Sequence, residues 1–264
     1  MAVDKLVDST QLDADLTSVA NAIRTKGGTS ADLAFPSGFV SAVEAIPTGG
    51  GGWTAQGIAD TSEPNGPISI SGTSIKSYAF YVCDGITDVS GPNVTSIGNY
   101  AFAYANGLEV VRFDSWQGTT STNNYIFGYA GSMSKTIIVL PSIVNFGSRM
   151  FSRGMFKTID IGPNATGSFN ADTFYNNTGK QSVGTLIIRR SSGVIAATTT
   201  DSINGLRDVY IPKALYDHLG DGGSLDYQSA SNWSTQYANG KLTFHQIEGS
   251  QYDGYWADGT AISS

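Results

Sequence analysis

The sequence predicts a mainly β chain: a short parallel-strand solenoid, led by a helical hairpin and closed by an atypical C-terminal cap. Three observations predict it. Phenylalanines recur at Phe80, Phe102, Phe127, Phe151 and Phe174, at intervals of 22, 25, 24 and 23 residues. A short apolar run rich in β-branched residues follows each of them. The pattern then fails at both ends of the chain, where helical spacing or irregular composition replaces it.

The first two units align without gaps, Ile75 with Ile97, Phe80 with Phe102, Ile86 with Leu108 and Val89 with Val111. Three residues after each repeat phenylalanine stands a small or weakly polar residue: Cys83, Ala105, Ala130, Gly154 and Asn177. The strands are expected at Thr87 to Val89, Glu109 to Phe113, Thr136 to Leu140, Thr158 to Ile161, Thr185 to Ile188 and Asp208 to Ile211. No single unit can bury its apolar side alone, so each strand must stack on its neighbours at about 4.8 Å, with the phenylalanine filling the core between coils. A period in this range is that of a leucine-rich-repeat-type solenoid.

The ends follow different rules. Over residues 1–48 Asp13 or Asp15 can cap a helix carrying Leu16, Val19, Ala20 and Ile23, which Gly27-Gly28 ends. Phe35-Pro36-Ser37-Gly38 makes a corner before a second apolar face of Phe39, Ala42, Val43 and Ile46. Two such helices bury little area, so the hairpin needs a partner, either other chains or the repeat domain itself. Residues 49–73 are a Gly/Pro-rich link with a lead-in strand at Ile68-Ser69-Ile70, and the repeats occupy 74–212. Residues 213–264 form the cap: helical turns from Lys213 to Leu219, Trp233 and Tyr237 at helical spacing, and a last strand at Leu242-Thr243-Phe244 and Ile247.

Composition narrows the function. The 264 residues are 40% hydrophobic and 11% aromatic, too rich for disorder despite 32 glycines. A net charge of −7 argues against a nucleic-acid backbone or an anionic membrane as partner, because both recruit Lys/Arg clusters. The start MAVDKLVDST lacks the basic and apolar pattern of a secretory signal, and no apolar run is long enough to span a bilayer. Synthesis in a cytoplasm is the expectation.

Catalytic chemistry finds little purchase. His218 and His245 stand in no ligand or nucleophile spacing, so no metal, no cofactor and no catalytic residue is expected. Cys83 takes a repeat-core position and is read as an inert buried thiol. Asp221-Gly222-Gly223-Ser224-Leu225-Asp226 lacks the alternating acidic ligands and closing Glu of a calcium loop, and reads as a turn. The N-x-S/T triplets at Asn93, Asn164, Asn176 and Asn232 are what this composition produces by chance. The aromatics stand out. Tyr78, Tyr81, Tyr100, Tyr104, Tyr125, Tyr129 and Tyr175 flank the repeat phenylalanines. Facing outward they would form a ladder able to stack on sugars or a protein partner; otherwise they pack along the solenoid edge with hydroxyls in water. A second cluster, Tyr252, Tyr255 and Trp256, lies outside the repeat and can pack against the cap.

The heptapeptide Ser74-Ile75-Lys76-Ser77-Tyr78-Ala79-Phe80, repeated as Ser96-Ile97-Gly98-Asn99-Tyr100-Ala101-Phe102, resembles the BspA-like class of leucine-rich repeats, and Cys83 stands at the small-residue position of their frame. The segments Ala22-Ile23-Arg24-Thr25-Lys26-Gly27-Gly28 and Phe35-Pro36-Ser37-Gly38-Phe39 resemble a helical module of minor structural proteins of Firmicutes phages. The resemblance implies a non-enzymatic virion protein of the tail, baseplate or fibre, made in the host cytoplasm and released by lysis. It implies docking on other virion proteins, or on further copies, through Leu16, Val19, Ile23, Phe35, Phe39, Val43 and Ile46, with a trimer favoured. Host-surface contact, to a glycan or protein, falls to Tyr81, Tyr104, Tyr129, Tyr175, Tyr252, Tyr255 and Trp256. The alternatives are a bacterial surface adhesin and a virion-bound polysaccharide depolymerase; the latter needs paired carboxylates, which a scattered pair such as Asp253 and Asp258 does not establish.

Overall fold

A computed structural model describes residues 64–247, apart from Asn123 and Gly179, together with Leu16, Thr17, Val19 and Ala20. The chain divides into two compact units, residues 1–51 and 52–264. In the first, the four described residues are helical; Ala20 is buried, Leu16 half-buried and Val19 exposed. Ile23, Phe35, Phe39, Val43 and Ile46 lie outside the described residues, as do Tyr252, Tyr255 and Trp256 at the other terminus.

The second unit is a parallel β-solenoid. Strands β1 (Gly66–Ser69), β3 (Ile86–Ser90), β5 (Val110–Arg112), β6 (Ile137–Leu140), β7 (Phe156–Ile161), β8 (Val183–Ile188), β9 (Asp208–Ile211) and β10 (Thr243–Gln246) pair in that order into one eight-stranded parallel sheet. The register follows the repeat: Val89 pairs with Val111, Val111 with Ile138, Ile138 with Ile159, Ile159 with Leu186, and Leu186 with Val209. All of these side chains are buried in one core. The alternate residues Ile137, Val139 and Ile187 leave that core and cluster separately with Tyr210 and Ile247.

Every expected strand is present, with ends shifted by a few residues. The lead-in strand runs Gly66–Ser69 rather than Ile68 to Ile70, and β7 and β8 start early, at Phe156 and Val183. A second, narrower ladder was not expected: β2 (Ser74–Ile75) pairs with β4 (Ser96–Ile97) on another wall of the coil. It continues as isolated parallel bridges, Gly118 with Asn145 and Phe169 with Ala197.

The repeat phenylalanines stack in register through the core. Successive ring centroids lie 5.1, 5.3, 5.6 and 5.3 Å apart from Phe80 to Phe174, with planes within 12° of parallel. This spacing is close to the interstrand repeat, so each coil places its ring on the one before it. At some points the backbones of adjacent coils leave no room for a side chain: a Cβ at Gly107 would collide with the carbonyl oxygen of Asp84, and one at Gly162 with that of Pro141.

From Phe80 to Phe151 the turn around each phenylalanine is held to the next coil by hydrogen bonds that run one way, whereas in the last turn Phe174 donates to Ser202 and accepts from Gly205. Tyr78, Phe80 and Val82 donate their N–H groups to the carbonyls of Asn99, Ala101 and Ala103 at 3.1, 2.7 and 2.9 Å. Tyr100, Phe102 and Tyr104 donate to Asn124, Ile126 and Gly128, and Arg149, Phe151 and Arg153 to Ala171, Thr173 and Tyr175. The intervening N–H groups of Ala79, Tyr81 and Cys83 instead close local turns onto Lys76, Tyr78 and Phe80.

The C-terminal end is closed by side chains acting as a substitute coil. Tyr227 and Trp233 are fully buried over the last turn of the solenoid. Ile195 donates its N–H to the Tyr227 hydroxyl at 3.0 Å, and its carbonyl accepts from Trp233 Nε1 at 2.8 Å. Asn232 Nδ2 donates to the Ala197 carbonyl and Gln236 Nε2 to that of Thr200. Backbone groups that another repeat would have paired are thereby satisfied. Burial pushes the Tyr227 phenol well above its ordinary range, so it stays protonated.

Candidate functional site

Two positions flank each repeat phenylalanine, two residues before it and two after. The residues there are Tyr78 and Val82, then Tyr100 and Tyr104, Tyr125 and Tyr129, Arg149 and Arg153. All eight have positive φ, between 38° and 66°. Apart from Asp172, which holds the first of these positions in the next coil, and Asn232, no other described non-glycine residue is left-handed. This backbone costs of order 1–3 kcal/mol for each non-glycine residue. It turns the side chains at both positions out of the core while the phenylalanine between them stays in it.

Val82 is the most awkward occupant. Its φ is 59° and it is 45% exposed, so a β-branched side chain takes the strain and buries little in return. Val82→Asn is expected to raise stability by about 1 kcal/mol, because Asn tolerates this conformation. Denaturant unfolding checks it, and a lower midpoint would contradict the strain.

Most of these side chains, joined by Tyr81 and Tyr175 one residue after their phenylalanines, form two columns along the solenoid. In one, Tyr78 stacks on Tyr100 at 5.1 Å and Tyr100 on Tyr125 at 5.2 Å. Arg149 then lies over the Tyr125 ring at 5.6 Å and bonds Asp172 at 3.1 Å. That bond, ahead of the neighbouring Tyr125 phenol, raises the already high pKa of Arg149. In the other column Tyr81 meets Tyr104 edge-on at 5.6 Å, and Tyr104 stacks on Tyr129 at 4.6 Å. The Arg153 guanidinium sits between Tyr129 and Tyr175, at 5.4 and 5.8 Å from their centroids, and donates to the Tyr129 hydroxyl at 2.6 Å. Tyr78–Tyr81 and Tyr125–Tyr129 contacts join the columns.

Tyr78 and Tyr81 are exposed, and Tyr100, Tyr104, Tyr125, Tyr129 and Tyr175 are half-buried against one another. Desolvation by its neighbours, then the nearby Tyr129 and Tyr81 phenols, raise the Tyr104 pKa. Tyr81, Tyr104, Tyr129 and Tyr175 thus share one column. The rings do not offer the open faces expected of a sugar-stacking platform. Most faces are taken by the next ring, which leaves edges and hydroxyls. Arg149, Arg153 and Asp172 belong to the same surface and were not singled out from the sequence. Their signal was available: they occupy the tyrosine positions of later repeats.

Elsewhere the titratable residues are in small groupings. His218 Nδ1 lies 2.7 Å from Asp221, and His245 Nε2 lies 2.8 Å from Asp208 with its ring stacked on Tyr210. Asp221 takes the backbone N–H of Gly223, which with His218 lowers its pKa. Cys83 is buried, its thiol 3.7 Å from the Tyr81 carbonyl. Among the described residues no three His, Cys, Asp or Glu side chains group as metal ligands, and no helix is long and apolar enough to cross a membrane.

The wall of parallel strands, the stacked phenylalanines and the repeated turn together define a solenoid of leucine-rich-repeat type. Residues 67–184 match the BspA type leucine rich repeat region, in six copies. No curated protein and no solved structure matches the chain.

Proposed function

We propose that the chain is a non-enzymatic surface-contact protein, a bacteriophage tail, baseplate or fibre component that presents its solenoid to the host. The observation that supports contact is the two-column tyrosine surface. Left-handed backbone is kept at these turn positions to hold large side chains at the solvent edge, where they add little to the core. The virion assignment rests on the likeness of residues 22–39 to a phage structural module, with Leu16, Val19 and their neighbours docking on virion proteins or on two further copies.

The full chain is expected to sediment with host cells, and Tyr104→Ala/Tyr129→Ala to lose most of that binding while still unfolding in one cooperative transition well above the binding temperature. Unchanged sedimentation would remove the ladder from contact. The match to BspA type repeats favours a second reading, a bacterial surface adhesin. Mass spectrometry of purified phage particles separates the two, since a chain found only in the bacterial surface fraction is the adhesin.

A further inference from the structure

We propose that the tyrosine surface binds a linear acidic glycan laid along the solenoid axis, with Arg153 holding the anionic group of one unit. This rests on the surface-contact reading and specifies its ligand.

The shape comes from the repeat. Each coil adds one rung to the column, and rungs lie 4.6 to 5.6 Å apart from Tyr81 to Tyr129. That is close to the rise of one sugar in an extended polysaccharide, so successive rungs meet successive units of a polymer. The kind of contact comes from ring orientation. Because the faces stack on one another, the surface presents ring edges, which carry the positive part of the quadrupole, and phenol hydroxyls. Such a surface suits a ligand dense in acceptor oxygens.

The charge comes from Arg153. Its coil-mate Arg149 is paired with Asp172, whereas Arg153 has no carboxylate partner among the described residues. The Tyr129 and Tyr175 rings flank its guanidinium, with centroids 5.4 and 5.8 Å away, and Nη1 donates to the Tyr129 hydroxyl. A guanidinium has five N–H donors in a planar fork, so a carboxylate or phosphate can be taken at its rim. An anion at that rim would meet a cation already oriented by its two rings. The overall charge of −7 disfavours dense polyanions, which points to a polymer whose anionic groups are spaced by neutral units.

The test uses the full chain and three polymers: a polysaccharide with one uronic acid among neutral sugars in each repeat, one whose neutral oligosaccharide repeats are joined by phosphodiesters, and neutral dextran, with affinities measured by biolayer interferometry. Binding to one or both acidic polymers, at least about tenfold tighter than to dextran and weakened by salt, is the expected result. The arm that binds tells carboxylate from phosphate. Arg153→Gln should lose about tenfold or more on the acidic polymer with unchanged melting, and Arg153→Lys should recover part of it. Equal binding of dextran, or no effect of Arg153→Gln, overturns the proposal. If no polymer binds while host cells still sediment the protein, the glycan assignment fails and surface contact stands. If neither occurs, both fail.

Discussion

Phe102→Ala is expected to destabilise the solenoid by about 3–5 kcal/mol, a fall in melting temperature on the order of 10 °C. The ring is fully buried, stacked on Phe80 at 5.1 Å and Phe127 at 5.3 Å, with Phe113 at 5.9 Å beside it. Removing it opens a void that rigid coils on either side cannot close, because close backbone approaches of Gly107 to the Asp84 carbonyl and of Gly118 to that of Asn145 fix their separation. Tyr216→Ala, at a residue 37% exposed, is the comparison and should change stability by no more than about 0.5 kcal/mol. If the two variants unfold alike in urea, Phe102 is not the core residue its stacking implies.

Trp233→Ala should cost as much, by a different route. The indole is fully buried against Tyr227 at 4.9 Å, Phe169 at 6.0 Å and Phe244 at 6.0 Å, and its N–H satisfies the Ile195 carbonyl. Truncation loses about 3–5 kcal/mol of packing, with roughly 1–3 kcal/mol more if that carbonyl stays buried without a donor. The loss is expected to be local at first, since coils of a solenoid are held mainly by their neighbours. Hydrogen exchange should quicken at Ile195 and Ala197 far more than at Val89 and Val111. Equal acceleration at both ends would mean that the cap does not terminate the stack but stabilises the unit as a whole.

The core was legible in the sequence because its determinants are periodic. Phe80, Phe102, Phe127, Phe151 and Phe174 recur at the coil length, and Ile75 with Ile97 or Val89 with Val111 fix the register in the first two coils. The bounds of β7 and β8 were not, because Phe156 and Val183 reach the ladder through tertiary pairing with each other. The cap was visible only as a broken period. Its chemistry joins Tyr227 and Trp233 to Ile195, more than thirty residues away, with no local signal. At the candidate site the tyrosines could be seen, but their left-handed backbone could not, since tyrosine does not ordinarily mark that region. Arg149 and Arg153 escaped notice because the residue type changes down the column while the position is kept.

The one-way hydrogen bonds of the phenylalanine turns give this wall of the protein an electrical direction. The peptide joining Asn99 to Tyr100 accepts from Tyr78 on one side and donates to Asn124 on the other; those ending at Phe102 and Tyr104 do the same. Their dipoles therefore add head to tail along the stack, as in an α-helix, whereas strand dipoles in a sheet largely cancel. The positive pole faces the later coils, where the Asn204 side-chain oxygen takes the N–H of Asn176 at 2.7 Å. The negative pole lies at the Tyr78 end. An anion near Arg153 sits toward the favourable pole, a bias of about 0.3–1 kcal/mol by analogy with helix ends. A polymer with one charged and one neutral terminus would thus favour the orientation with its charged end toward the cap, by about two- to fivefold.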